Sequence, residues 1–287
     1  MEPRAHFVLD AIGRFKPLDT VAKPLKKAVD ATVKRGPIKD VLAGTWLGHP
    51  LHPVLTDIPI GAWTSSWILD VVGGERARPA ADTLLGVAIA SSLPTAAAGL
   101  ADWTDTWGKT QRIGVAHATG NVAALALFSA SLAARMRGRR LRGFVLSTLG
   151  IGAASVSAYL GGHLTFGKGI GVDNTVFDQE PERWTAVLQS DALAEGKPVK
   201  ADADGADILL YKDGADLFAI SDTCSHRGCS LSDGDVRDGA VECPCHGSTF
   251  RLADGGIERG PATAPQPAYE VRIADGRVEV RVRESRR

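Results

Sequence analysis

Long apolar segments alternate with short charged ones in the first 170 residues. The apolar segments are Leu55–Gly73, Thr83–Ala101, Ile113–Ala134 and Gly143–Leu164. The last three contain no Asp, Glu, Lys or Arg, and each is close to the roughly 20 residues that cross a bilayer's hydrocarbon core. The first holds Asp57 and Asp70 near its ends, where an acid costs less than at the bilayer centre. The pattern predicts a four-helix transmembrane domain over residues 51–170, with a buried four-helix soluble bundle as the alternative.

Residues 1–50 carry a different pattern. Apolar residues recur there at helical spacing among lysines, at Leu18, Val21, Ala22, Leu25, Ala28 and Val29. This arrangement is typical of a basic amphipathic helix at an anionic membrane surface, although Pro24 lies inside the run. A solvated helix that packs on another domain is the alternative.

The pattern changes again after the glycine-rich residues 161–171. Short β-branched or alternating segments follow, at Ile208–Tyr211, Leu217–Ile220, Tyr269–Ile273 and Val278–Val282. Asp-Gly pairs that favour tight turns begin at Asp213, Asp238 and Asp275. Residues 178–287 are therefore predicted to form an all-β sandwich or partly open barrel. The chain is expected to join an N-terminal all-α transmembrane domain to this C-terminal all-β domain.

Charge and cysteine content support this division. Residues 1–177 hold 19 basic and 12 acidic groups, whereas residues 178–287 hold 14 basic and 21 acidic groups, so a net charge of zero hides two unlike halves. All 4 cysteines lie between positions 224 and 245. This clustering indicates a local site rather than a disulfide framework that spans the chain.

The cysteine cluster contains a metal-binding pattern. Cys224-x-His226 is followed, after sixteen residues, by Cys243-x-x-His246. Two thiolates suit one iron and two imidazoles suit a second iron. Tight loops are needed so that both ligand atoms of a pair point to the same metal. A four-coordinate zinc site is the alternative, but zinc fingers commonly pair Cys with Cys and His with His.

Two strings in this region resemble the Rieske family: Cys224-Ser225-His226-Arg227-Gly228-Cys229 and Cys243-Pro244-Cys245-His246-Gly247-Ser248. The resemblance covers about residues 180–285. It implies a [2Fe-2S] cluster held by the four residues of the metal-binding pattern, and a role in electron transfer. It also implies a disulfide between Cys229 and Cys245, with two free buried thiols as the alternative.

The same resemblance assigns roles to residues around the cluster. Ser248 matches a serine whose hydroxyl donates to a bridging sulfide, and Pro261 lies in a third loop that shields the cluster. Phe250 stands where quinol-oxidising members have a tyrosine, and Arg227 resembles the ferredoxin and oxygenase branches. The reduction potential is therefore predicted to lie between those of the two branches. Gly228 and Gly247 allow the ligand loops to fold tightly.

Polar residues converge on one face of the predicted membrane domain. If the chain crosses four times, alternate span ends share a face, which receives His49, His52, Asp57, Asp102, His117 and His163. Such groups at membrane depth indicate a functional site, with a b-type haem, a second metal or a quinone as candidate ligands. Ordinary interfacial side chains are the alternative. The string from Gly48 to Pro53 resembles an uncharacterised family of predicted four-span membrane domains, over roughly residues 45–165.

These observations predict a membrane-anchored electron-transfer protein that passes single electrons to or from a protein or quinone partner. We expect no nucleic acid partner. The alternatives are a quinol- or haem-linked oxidoreductase that uses the membrane His and Asp groups, and a redox sensor or structural iron–sulfur protein. Nine basic residues precede the first span and place the β domain on the cytoplasmic face, whereas five arginines in residues 135–142 favour the opposite orientation.

Overall fold

The structure is a computed structural model that describes residues 4–33 and 35–283. It contains two compact units. The helical unit comprises the described residues before Lys34 together with Leu51–Ile170, and the β unit comprises Arg35–Pro50 and the described residues from Gly171 onward. The N-terminal segment 1–50 is thus divided between the two units.

The helical unit contains six of the seven α-helices in the described residues. Its helices are α1 Arg4–Arg14, α2 Asp19–Thr32, α4 Leu51–Val72, α5 Arg78–Trp103, α6 Gly108–Met136 and α7 Arg140–Gly162. The short helix α3, Pro37–Ala43, belongs to the β unit. Three helical segments in the described residues are long and apolar enough to cross a membrane: Glu75–Trp103, Gly108–Met136 and Arg140–Gly167. Helix α4, which has 22 residues and contains Asp57 and Asp70, is not among these three.

The four long helices form two hairpins, α4 with α5 and α6 with α7. Phe128 is almost fully buried in the core between them, where Trp63 stacks on it at a ring-centroid distance of 4.9 Å. At one end of the bundle the buried guanidinium of Arg135 pairs with Asp70, and with Asp82 at 3.1 Å. A charge removed from water must be paired in this way, so the ion pairs fasten the hairpins together.

The N-terminal helices pack their apolar faces on α6. Leu9 of α1 is buried against Ile113, and Ala22 of α2 is buried against Val115. Arg112 donates to Asp19 at 2.7 Å beside these contacts. Of the apolar stripe seen in the sequence, Ala22 is covered by α6, whereas Val21 and Ala28 are exposed.

The β unit contains ten strands in the described residues: β1 Thr185–Gln189, β2 Val199–Ala203, β3 Ala206–Asp213, β4 Asp216–Ser221, β5 Asp235–Arg237, β6 Ala240–Glu242, β7 Thr249–Arg251, β8 Ile257–Arg259, β9 Tyr269–Ala274 and β10 Arg277–Val282. They form three antiparallel sheets, with orders β1-β10-β9, β2-β3-β4 and β5-β6-β7-β8. The sheet-rich C-terminal fold predicted from the sequence is confirmed.

Asp-Gly pairs make the tight hairpins of this unit. Asp275 and Gly276 have φ values of 49° and 74° between β9 and β10, and Asp238 and Gly239 join β5 to β6 with values of 52° and 77°. Two successive positive φ values are typical of the turns that match strand twist. The β5–β8 sheet then carries one of the two ligand loops at the turn between β6 and β7.

Candidate metal centre

Two loops with the same backbone hydrogen bonding carry the Cys and His pairs. In the loop after β4, Gly228 N–H donates to the carbonyl of Cys224 at 2.7 Å; between β6 and β7, Gly247 N–H donates to the carbonyl of Cys243 at 3.0 Å. Both glycines have positive φ, 70° and 80°, a conformation that a side chain disfavours. The glycines predicted to tighten the loops therefore close each turn.

The four predicted ligands converge. Cys224 and Cys243 are each 1% exposed, and their thiols hydrogen-bond to one another. That bond lowers the pKa of Cys243 to about 7 and raises the pKa of Cys224 above its ordinary value. The rings of His226 and His246 are half-buried, with centroids 5.0 Å apart and planes at 86°. The two thiols thus meet each other, and the two imidazoles meet each other, with one member of each pair on each loop.

Burial and neighbouring charge keep His226 neutral. Its pKa is well below the ordinary value because the ring is desolvated and because His246, Arg227 and Lys39 lie near it. The neutral imidazole is the form that binds metals.

A disulfide between Cys229 and Cys245 ties the two loops together. The sulfur of Cys243 lies within 4.8 Å of both disulfide sulfurs. The disulfide therefore borders the site directly.

The third loop closes the site from another side. Ala262 N–H donates to the hydroxyl oxygen of Ser248 at 3.0 Å, and both residues are fully buried. Since this hydroxyl accepts from the backbone, its own proton is available to a second acceptor. The Gly260–Pro261 peptide in this loop is cis. Phe250 is fully buried in the same hydrophobic cluster as Cys224 and Cys243.

Residues distant in sequence from the Cys and His motif also hold the loops. The side-chain amide of Asn174 donates to the carbonyl of His226 at 2.9 Å, and Arg35 donates to the carbonyl of Cys245 at 2.9 Å. Thr45 donates to the carbonyl of Ala262 at 3.0 Å. Segment Arg35–Pro50 therefore contacts two of the three loops. No local signal marks these residues, because their spacing from the motif is set only by tertiary contacts.

Comparison with known proteins agrees with this geometry. Residues 183–270 match the sequence profile of the Rieske [2Fe-2S] domain. The chain carries a Rieske domain. Residues 48–174 match a second family, described as a predicted membrane protein (DUF2231). The Rieske domain is thus fused to a membrane domain, as the two sequence resemblances imply.

Relatives of the Rieske domain include ferredoxin subunits of dioxygenases. The anthranilate 1,2-dioxygenase ferredoxin subunit of Burkholderia cepacia is 40% identical over 63 residues, which are 22% of this chain and 58% of that protein. The biphenyl 2,3-dioxygenase ferredoxin component of Rhodococcus jostii (strain RHA1) is 36% identical over 66 residues, 23% of this chain and 62% of that protein. The chain thus spans about three fifths of the length of these relatives.

A solved structure is also similar to part of this chain. The ferredoxin of carbazole 1,9a-dioxygenase from Nocardioides aromaticivorans IC177 is 29% identical, and the match covers 36% of this chain and 100% of that one with a TM-score of 0.34.

The residues present fit a [2Fe-2S] cluster. Two converging thiols and two imidazoles are the donor set of a Rieske centre. With a metal–nitrogen bond of about 2.0–2.1 Å and about 1.1 Å from that nitrogen to the ring centre, two imidazoles on one tetrahedral metal have centroids about 5 Å apart. The observed separation of 5.0 Å agrees with this value.

The structure brings together two of the six polar residues predicted to share a membrane face. His52 and His117, in the helical unit, have ring centroids 6.4 Å apart. His49 is exposed and belongs to the β unit, and Asp57 is exposed on α4. Asp102 and His163 are half-buried near the ends of α5 and α7.

Proposed function

We propose that this protein is a membrane-anchored one-electron carrier in which Cys224 and Cys243 hold one iron and His226 and His246 hold the other. The convergence of these side chains on the two loops carries the proposal. The bound cluster supplies a site that accepts and releases one electron at a time.

The surrounding residues prepare the site for this role. Burial of the two cysteines keeps water from the sulfurs, and the anchors from Asn174 and Arg35 fix the loops so that little reorganisation accompanies a change of charge. Arg227 and Lys39 lie close enough to lower the pKa of His226. Their positive charge would also stabilise the reduced cluster, which carries one more negative charge than the oxidised cluster.

Membrane anchoring by four spans is part of the proposal. Helix α4 pairs with α5 as α6 pairs with α7, and its Asp70 is neutralised by the buried Arg135 rather than exposed to lipid. These contacts support α4 as a fourth span although it contains two acidic residues.

We place the Rieske domain on the cytoplasmic face. Of the five arginines in residues 135–142, Arg135 and Arg140 form ion pairs with Asp70 and Asp82. The other three arginines then favour the opposite orientation, against nine basic residues before the first span that favour this one. Alkaline phosphatase and green fluorescent protein fused after residue 283 would report opposite faces, and phosphatase activity would contradict this orientation.

The redox partner is proposed to be a protein. The relatives in the comparison are ferredoxin subunits or components of dioxygenases, so a partner that accepts single electrons from a small iron–sulfur protein is the matching class. Gly228, Pro244 and Cys245 are exposed at the loop tips and form the accessible rim through which such a partner would approach.

Spectroscopy of the full chain in detergent tests the proposal. We expect two irons and two labile sulfides per chain and, after reduction with dithionite, an EPR signal that integrates to one spin. His246→Ala should abolish the signal, whereas His163→Ala, which changes the same residue type in the helical unit, should keep it. A colourless protein that contains zinc in place of iron and sulfide would overturn the assignment.

A further inference from the structure

The two hairpins of the helical unit are repeats of one another. Positions 65 apart correspond between α4 and α6, and positions 62 apart correspond between α5 and α7. The matched pairs are His52 with His117, Trp63 with Phe128, Ser66 with Ser131, Asp70 with Arg135, Ala81 with Gly143, Thr95 with Ser157, and Gly99 with Gly161. Burial follows the same register: Ala81, Leu85, Ala88, Thr95 and Ala98 of α5 are buried, as are their counterparts at 143, 147, 150, 157 and 160.

Hydrogen bonds repeat in the same register. Ser66 donates to the carbonyl of Ala81 at 2.7 Å, and its counterpart Ser131 donates to the carbonyl of Gly143 at 2.6 Å. Each bond fastens the first helix of a hairpin to the second. Two hairpins with the same internal contacts at equivalent positions are a duplicated structural unit.

Equivalent residues of the two hairpins also contact each other. Trp63 stacks on its counterpart Phe128, and Asp70 pairs with its counterpart Arg135. Contact between equivalent positions is the signature of a two-fold arrangement, in which the same surface of each unit meets at the axis. His52 and His117 are the third such pair, at a ring-centroid distance of 6.4 Å.

Both histidines are held in the same way. Nδ1 of His52 lies 2.9 Å from the carbonyl oxygen of Thr95, and Nδ1 of His117 lies 2.7 Å from that of Ser157, at the equivalent position. A carbonyl oxygen can only accept, so each Nδ1 carries the proton and each Nε2 carries a lone pair. The amide of Asn121 donates to Nε2 of His117 at 3.1 Å, which agrees with this tautomer. Backbone bonding at Nδ1 is the usual way to orient an imidazole that binds a metal through Nε2.

A glycine makes room for each ring. A Cβ at Gly99 would lie 2.7 Å from the His52 ring, and a Cβ at Gly161 would lie 2.9 Å from the His117 ring. Both distances are too short for real contacts, so the rings lie directly against the backbones of α5 and α7. The two rings are therefore confined on the sides that face their own hairpins.

The separation of the rings indicates how a metal would be bound. With a metal–nitrogen bond of about 2.0–2.1 Å and about 1.1 Å from nitrogen to ring centre, two imidazoles on opposite sides of one metal have centroids about 6.3 Å apart. The 6.4 Å of His52 and His117 agrees with this opposed arrangement, whereas the 5.0 Å of His226 and His246 agrees with a tetrahedral one.

The remaining ligands must come from elsewhere. Within residues 4–33 and 35–283, the one set of three or more Cys, His, Asp or Glu side chains with ligand atoms within 4.8 Å of one another includes Cys243, in the β unit. Two opposed imidazoles alone suit a metal whose other positions are filled by a macrocycle, as in haem with two axial ligands.

We propose that the membrane domain binds one haem through Nε2 of His52 and Nε2 of His117, on the two-fold axis of the duplicated hairpins. The binding displaces the contact between Asn121 and His117. Neither histidine belongs to the Rieske domain, so a negative result for the haem leaves the assignment of the cluster unchanged, and the reverse also holds.

The full chain, expressed with a haem precursor and purified in detergent, tests the proposal. We expect one haem per chain by pyridine haemochrome assay, with the optical and EPR spectra of low-spin iron that has two imidazole ligands. His52→Ala and His117→Ala should each lose that spectrum, keep the EPR signal of the cluster, and keep the helix content measured by far-UV circular dichroism, which shows that the helical unit is still folded. His163→Ala should change neither.

Two glycine substitutions provide a matched comparison. Gly161→Ala forces the His117 ring to move and should shift or abolish the haem spectrum, whereas Gly152→Ala, in the same helix, adds a methyl group to open space and should leave it unchanged. Absence of haem from wild-type protein that also fails to retain added haemin would overturn the proposal, as would a haem that survives both histidine substitutions.

Discussion

Phe250 provides a direct test of how the protein sets the potential of its cluster. Its side chain is fully buried, its neighbours across the sheet are Val241 and Ile257, and it shares a hydrophobic cluster with the two cysteines proposed as ligands. Phe250→Tyr adds one hydroxyl to this surface. A hydrogen bond from that hydroxyl to a ligand sulfur would stabilise the reduced, more negative state.

The expected magnitude follows from the energy of one hydrogen bond. A hydrogen bond contributes about 0.5–1.5 kcal/mol net. The potential of a one-electron couple shifts by about 59 mV for each tenfold change in the equilibrium constant, which corresponds to about 1.4 kcal/mol. The midpoint potential of Phe250→Tyr should therefore rise by about 20–65 mV. If the hydroxyl finds no partner, burial instead costs about 1–3 kcal/mol of stability and the potential does not change.

Redox titration of the full chain in detergent, followed by EPR or circular dichroism, measures the midpoint. Phe218→Tyr is the matched control, because Phe218 packs at the edge of the same cluster and is only half-buried. A Phe250→Tyr protein of normal stability whose midpoint equals that of wild type would refute the reasoning.

Three further substitutions test stability. Arg135→Met removes the fully buried one of the two arginines that pair with Asp70 and leaves Arg140 in place, so the free energy of unfolding should fall by about 1.5–3 kcal/mol; unchanged thermal unfolding in detergent would show that the pair contributes little. Replacing Cys229 and Cys245 together by serine opens a loop of 16 residues and should cost about 3 kcal/mol, which denaturant titration measures. Burial raises the pKa of Asp40, so the contribution of this carboxyl group to stability falls as pH rises above about 4. Asp40→Asn should therefore raise the melting temperature at pH 7 but not near pH 3. An equal change in melting temperature at both pH values would contradict the assignment.

The sequence alone determined the parts of this protein that depend on local spacing. A Cys and a His within one tight turn can reach one centre whatever the rest of the chain does, so the four predicted ligands were visible from their positions. The apolar helices and the Asp-Gly hairpins were visible for the same reason, because composition and turn chemistry act over a few residues.

Tertiary structure decided which distant residues meet. The attachment of Arg35 to the loop of Cys245 joins positions 210 residues apart, and no periodicity in the sequence marks it. The polar face of the membrane domain was predicted only from which span ends share a side. In the structure, the rings of His52 and His117 from that set lie close together, whereas Asp57 lies on an exposed surface.

The duplication of the hairpins was hidden for a physical reason. Several equivalent positions hold different residues, such as Trp63 and Phe128 or Asp70 and Arg135, because packing constrains the volume and the charge pairing at these positions rather than the residue identity. Isolated identical pairs such as His52 and His117 do not mark a repeat by themselves; burial and contacts, which exist after packing, show that the positions are equivalent.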